Sequence, residues 1–78
     1  MSRLKELRTA LGYTQMKIQM VTGIDQSDYS KLERGALNLS FENCRILALL
    51  FNTSMDYLAE ITDVREPYPR GEKSFYGL

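Results

Sequence analysis

Between Thr14 and Gly35 two capped helical segments meet at a single glycine, and this arrangement limits the fold more than any other feature of the chain. Thr14 is a good N-cap for a segment that runs to Val21 or Thr22. Gly23 stops it, and a glycine there takes the positive φ that a sharp turn needs. Asp25 caps the next segment, which runs to about Arg34 and stops at Gly35. Ile18, with Val21 or Thr22, is expected to face inward from the first segment, and Tyr29 and Leu32 from the second. Ile24 adds an apolar contact just outside the Asp25 cap. Ser27, Ser30, Lys31 and Arg34 fall at i, i+3, i+4 and i+7 and share one polar face, with Gln26 at its first turn.

The flanking sequence is helical as well. Ser2 is a plausible cap for a first helix ending at about Leu11, with Leu4, Leu7, Ala10 and Leu11 on one face and Gly12 as the stop. Ala36 to Leu39 form a loop. Ser40 caps a fourth helix to Phe51 or Asn52, and Ser54 caps a fifth to about Thr62. No stretch alternates apolar and polar residues as a half-buried strand does. The expected fold is all-α, with five helices in residues 1–63 and a short C-terminal tail, 64–78, whose two prolines exclude regular helix.

Composition narrows the function. A chain of 78 residues makes one domain, and one this short buries only about 60–65% of its unfolded surface. The longest apolar run, Ile46 to Phe51, falls far short of the roughly 20 residues that span a bilayer, so no membrane partner is expected. The charged, helical start gives no signal peptide, and the lone Cys44 makes no intramolecular disulfide. A cytoplasmic location is the default, with Cys44 in the core. The chain has no histidine, no Gly-rich phosphate loop and no zinc-ligand spacing. Enzyme activity, metal and cofactors are therefore not expected. Asp56, Glu60 and Asp63, on one face of the fifth helix, read as a solvated edge.

Net charge is zero, but its distribution is uneven. Residues 1–34 hold Arg3, Lys5, Arg8, Lys17, Lys31 and Arg34 against Glu6, Asp25, Asp28 and Glu33, a surplus of two positive charges. The remainder carries the matching negative surplus. The basic half is the one with the turn at Gly23, and its small surplus implies only modest affinity for any polyanion.

A helix crossing the phosphate backbone, a tight turn, an apolar inner contact and a polar outer face on the second helix make a helix-turn-helix, whose second helix enters the major groove of double-stranded DNA. The stretch Leu4 to Ile61 resembles the lambda-repressor-like, Cro/C1-type family of five-helix DNA-binding domains. The residues that carry the resemblance are Leu4-Lys-Glu-Leu-Arg8, Tyr13-Thr-Gln15, Gly23-Ile-Asp-Gln-Ser27, Ser30-Lys-Leu-Glu-Arg-Gly35 and Ser54-Met-Asp-Tyr-Leu58. The resemblance implies a structural ion pair between Arg8 and Glu33. It implies that Gln15 contacts phosphate and braces Gln26, the first residue of the recognition helix. Gln26, Ser27, Ser30 and Lys31 then face bases, glutamine matching adenine N6 and N7 and lysine matching guanine O6 and N7. Thr14, Lys17, Arg34 and Asn38 join Gln15 on the DNA backbone. The implied function is that of a sequence-specific transcriptional regulator, with a repressor the leading form.

The chain departs from that family at several positions. Gln19 stands where a small residue is usual, Thr22 where an aliphatic one is usual, and Ala36-Leu37 where the loop is often basic. Asp28 puts a negative charge on the recognition helix. The fourth helix is also more apolar than one buried face requires. Ile46, Leu49 and Leu50, continued by Tyr57 and Ile61, are read as a homodimer interface, which Val64 and the tail rings Tyr68, Phe75 and Tyr76 extend. Two readings stay open for this surface: a two-fold dimer, or a tail that folds back over Ile46 and Leu49 of its own chain. The alternative function is a protein-interaction module on the same fold, or an antitoxin-like protein that binds a protein partner.

Overall fold

A computed structural model describes residues 2–69, the side chain of Ser2 excepted. The Ser2 cap and the rings of Phe75 and Tyr76 lie outside the described residues. Five α-helices follow in order: α1 Ser2–Ala10, α2 Gln15–Thr22, α3 Gln26–Arg34, α4 Phe41–Leu50 and α5 Met55–Leu58. The described residues contain no strand, so the fold is all-α with five helices, as the sequence leads one to expect.

Each cap acts where the sequence places it. The side chains of Thr14, Asp25, Ser40 and Ser54 accept first-turn backbone N–H groups of α2, α3, α4 and α5. Gly23 (φ 80°) and Gly35 (φ 75°) adopt the left-handed backbone conformation at the ends of α2 and α3.

α3 packs against both α1 and α2, and α4 packs against α5. Leu4 and Leu7 of α1, Ile18 of α2, Tyr29 and Leu32 of α3, Leu47 of α4 and Leu58 of α5 are buried in one core. Ile24, Cys44, Ala48, Phe51 and Tyr57 complete it. The core thus grips α3 along one side only.

Three expectations need correction. Leu11 and Ala10 are exposed, because α1 ends at Ala10 and Leu11 lies in the turn beyond it. Of the two alternatives on α2, Thr22 is the half-buried one and Val21 is exposed, and Ile18 is buried as expected. α5 stops at Leu58 rather than Thr62. There Glu60 takes φ 63°, its N–H bonds to the Tyr57 carbonyl, and the Ile61 N–H bonds to the Asp56 carbonyl, which closes the helix. Glu60 and Asp63 therefore lie beyond α5 and do not line one helix face with Asp56. Last, Tyr57 is buried in the core of its own chain rather than presented on an outer surface. The Arg3 guanidinium stacks 4.2 Å above its ring.

Arg3 also fastens the start of the chain to the segment after α5. Its guanidinium donates to the Tyr57 carbonyl at 2.6 Å, to the Thr62 carbonyl at 2.8 Å and to the Asp63 carboxylate at 2.6 Å. Further on, the Thr53 hydroxyl donates to the Arg65 carbonyl at 2.6 Å and the Tyr68 hydroxyl donates to Asp56. The described part of the tail thus runs back beside α4 and α5.

Candidate nucleic-acid interface

α3 is set from behind by a polar cluster. The Arg8 guanidinium donates twice to Glu33, Nε to Oε2 at 2.6 Å and Nη2 to Oε1 at 3.2 Å. Its Nη1 donates to the Tyr13 carbonyl at 2.8 Å. The pair is largely removed from solvent, with 13% of the Arg8 side chain and 5% of Glu33 exposed. Burial by itself pushes the Glu33 carboxyl up, but hydrogen bonds with Arg8, Tyr29 and Gln15 outweigh it and hold Glu33 below the usual carboxylate range. The bond to Glu33 raises the Arg8 guanidinium further, so both stay charged at neutral pH. Burial, then Glu33, pushes the Tyr29 phenol up. This cluster ties α1, α2 and α3 together.

The turn between α2 and α3 is stitched by side chains. The Thr22 hydroxyl donates to the Ile18 carbonyl at 2.7 Å and accepts from the Ile24 N–H at 3.1 Å. The Asp25 carboxylate accepts from the N–H groups of Ser27 at 3.0 Å and Asp28 at 3.4 Å, and from the Ser27 hydroxyl at 2.7 Å. The hydroxyl first, then the two N–H groups, lower its pKa. Gln19 reaches across from α2, its Oε1 accepting the Gln26 N–H at 2.7 Å. The N–H groups of Gln26, Ser27 and Asp28, three of the orphan donors of a helix start, are satisfied within the chain. The start of α3 therefore presents side chains, rather than bare backbone donors, to a ligand.

The residues expected to meet DNA lie on two elements and a loop. Gln26 and Ser30 are half-buried on α3, and Ser27, Lys31 and Arg34 are exposed there. Tyr29 and Leu32, on the opposite side, are fully within the core. Thr14, Gln15 and Lys17 occupy the start of α2, and Asn38 is exposed in the loop after α3. The Lys17 ammonium lies 5.8 Å from the centre of the Tyr13 ring, and Arg34 Nε donates to the Ser30 carbonyl at 3.4 Å. Beside Asn38, Leu37 and Phe41 are exposed, Phe41 by 74%. The loop thus offers apolar surface where the family often places charge.

The expected brace falls on a different residue. Gln15 Nε2 donates to Glu33 Oε1 at 3.1 Å, so its amide belongs to the Arg8–Glu33 cluster. Contact with the recognition helix start is made by Gln19 instead. Gln19 and Thr22 carried a signal in the sequence, since each puts a hydrogen-bonding side chain where the family favours a small or aliphatic one. Arg3 carried none, because its partners lie 54 to 60 residues away in sequence.

Among the described residues no group of acidic or cysteine side chains is placed to hold a metal ion. No helix among them is long and apolar enough to cross a membrane. No curated protein and no solved structure matches the chain. A family model described as helix-turn-helix matches residues 4–58, from the first core leucine of α1 to the last residue of α5. With the capped turn at Gly23, the core-gripped α3 and its polar outer face, that match places the chain in the Cro/C1-type helix-turn-helix family of DNA-binding transcription-regulator domains.

Proposed function

We propose that the protein is a sequence-specific repressor that acts in the cytoplasm and binds its operator as a two-fold dimer. The observation that carries this reading is the two-sidedness of α3, locked by Tyr29, Leu32 and Glu33 on one side and open and polar on the other. Gln26, Ser30 and Lys31 donate to base edges, and Ser27 acts as an acceptor because its hydroxyl proton is held by Asp25. Thr14, Lys17, Arg34 and Asn38 hold the phosphates, and Gln15, whose amide is taken by Glu33, steadies α3 behind them. The small positive surplus of residues 1–34 makes one subunit a weak binder, and joining two multiplies the contacts. Ile61, Val64 and Tyr68, each more than half exposed, supply the joining surface with the half-buried Ile46 and Leu49 of α4 and the edge of Leu50, which also packs on its own core. Tyr57 drops out of that surface because it is buried.

The second reading is a protein-binding, antitoxin-like role, favoured by the exposed Leu37 and Phe41 and by Asp28 on α3. Replacing Gln26 and Lys31 together by Ala separates the two. Repression through α3 predicts a loss of about 1–3 kcal/mol at each base read and a relaxed preference there, while the wild type shows a steep fall of affinity with salt. Unchanged affinity and preference in the double variant, with a flat salt response in the wild type, favours the protein-binding role.

A further inference from the structure

The hydrogen bond from the Gln26 N–H to Gln19 Oε1 ties the first residue of α3 to the neighbouring helix. It spans seven positions in sequence, crosses the turn and, at 2.7 Å, is short for an N–H donor. Both residues are half-buried, so water competes poorly for the bond. Asp25 serves Ser27 and Asp28, and Thr22 serves Ile24, which leaves the Gln26 N–H to Gln19. Gln15, the other amide near the start of α2, is held by Glu33.

We propose that Gln19 is a positioning residue for DNA reading: by fixing the backbone of Gln26 it sets the base preference of the position that Gln26 contacts. The inference rests on the reading of α3 as the base reader. Two-pronged contact to a base tolerates an error of only about 0.5 Å or 10–20°. The direction of the Gln26 side chain follows from the placement of its backbone, and the Gln19 amide pins that backbone from the neighbouring helix. Without the acceptor, the first-turn N–H turns to water and the side chain loses its fixed origin. The effect is confined to one base position, because Ser30 and Lys31 lie deeper in α3 and are held through Tyr29 and Leu32.

The test uses the full chain and base preferences measured by selection from random duplex DNA. Three single variants are needed: Gln26→Ala, Gln19→Met and Gln19→Glu. Methionine keeps the length of glutamine and removes the acceptor. Glutamate keeps the acceptor and adds a charge. Gln26→Ala is expected to relax one base position about tenfold. Gln19→Met is expected to relax the same position about fivefold, with the salt dependence and the preferences elsewhere unchanged. Gln19→Glu is expected to keep the preference at that position while lowering affinity for all sequences alike. In a Gln26→Ala background, Gln19→Met is expected to have no further effect on preference, whereas a merely stabilising role would leave the preference sharp in the Gln19→Met single variant as well. If Gln26→Ala relaxes a position and Gln19→Met leaves it sharp, the inference is overturned while the reading of α3 stands. If Gln26→Ala relaxes nothing, the reading of α3 falls and the inference with it. If Gln19→Met fails to fold, the glutamate variant decides: loss of the preference at the Gln26 position overturns the inference.

Discussion

Glu33 accepts hydrogen bonds from Arg8 of α1 and Gln15 of α2, so one carboxylate on α3 fixes the recognition helix against both of its neighbours. Its folded pKa lies below the ordinary value, and the sign of the pH dependence follows. The stability that Glu33 supplies is complete above its unfolded pKa, about 4.3. It is lost as the pH falls through the lower folded value. Glu33→Gln should flatten the acid limb of the stability curve measured by urea unfolding between about pH 5 and 3. Glu33→Ala should cost about 3–5 kcal/mol at neutral pH, since it leaves the Arg8 guanidinium buried without its partner. A loss under about 1 kcal/mol, the range of a surface pair, would show that the pair contributes little. The Arg8–Glu33 pair is legible in the sequence through the family resemblance. The third member is not: glutamine at the start of α2 fits both a phosphate contact and a carboxylate contact, and only the placement of α3 decides between them.

At the scale of the element, caps and stops explain the helices. Thr14, Asp25, Ser40 and Ser54 start four of them as their side-chain chemistry dictates, and Gly23 and Gly35 end α2 and α3 in the conformation that glycine adopts without strain. The end of α5 is not legible in the sequence because its left-handed residue is Glu60, which gives no such signal. Burial of Tyr57 under Arg3 and the return of the chain at Ile61 make that turn favourable despite its backbone. Glu60→Gly should therefore stabilise the domain by about 0.5–1 kcal/mol in thermal or urea unfolding. Asn52, also at positive φ just past α4, should gain less from the same substitution, because asparagine tolerates that conformation better. No gain, or a loss, at Glu60 would mean that the α5 turn carries no backbone strain.

On the scale of the whole molecule, residues far apart in sequence close the domain. Arg3 holds the segment from Tyr57 to Asp63, and Thr53 and Asp56 hold Arg65 and Tyr68. None of these contacts can be read from periodicity, which reports a residue's face on its own helix and not the segment that lies against that face. The described tail runs beside its own α4 and α5, yet Ile61, Val64 and Tyr68 keep large exposed surfaces. The proposed dimer uses this exposed apolar surface as its interface. Sedimentation at micromolar concentration should show a dimer for the intact chain and a shift toward monomer when Ile61 and Val64 are both replaced by Asp. A monomer in the wild type would remove the dimer from the account. With a dimer, the two α3 helices present their polar faces about one DNA turn apart, roughly 34–36 Å. The measurement that tests this most directly is selection of bound sequences from a random pool of duplex DNA with the intact protein. The account predicts an enriched inverted repeat with half-site centres about 10–10.5 base pairs apart. A pool that returns unenriched, with binding insensitive to salt, would contradict it.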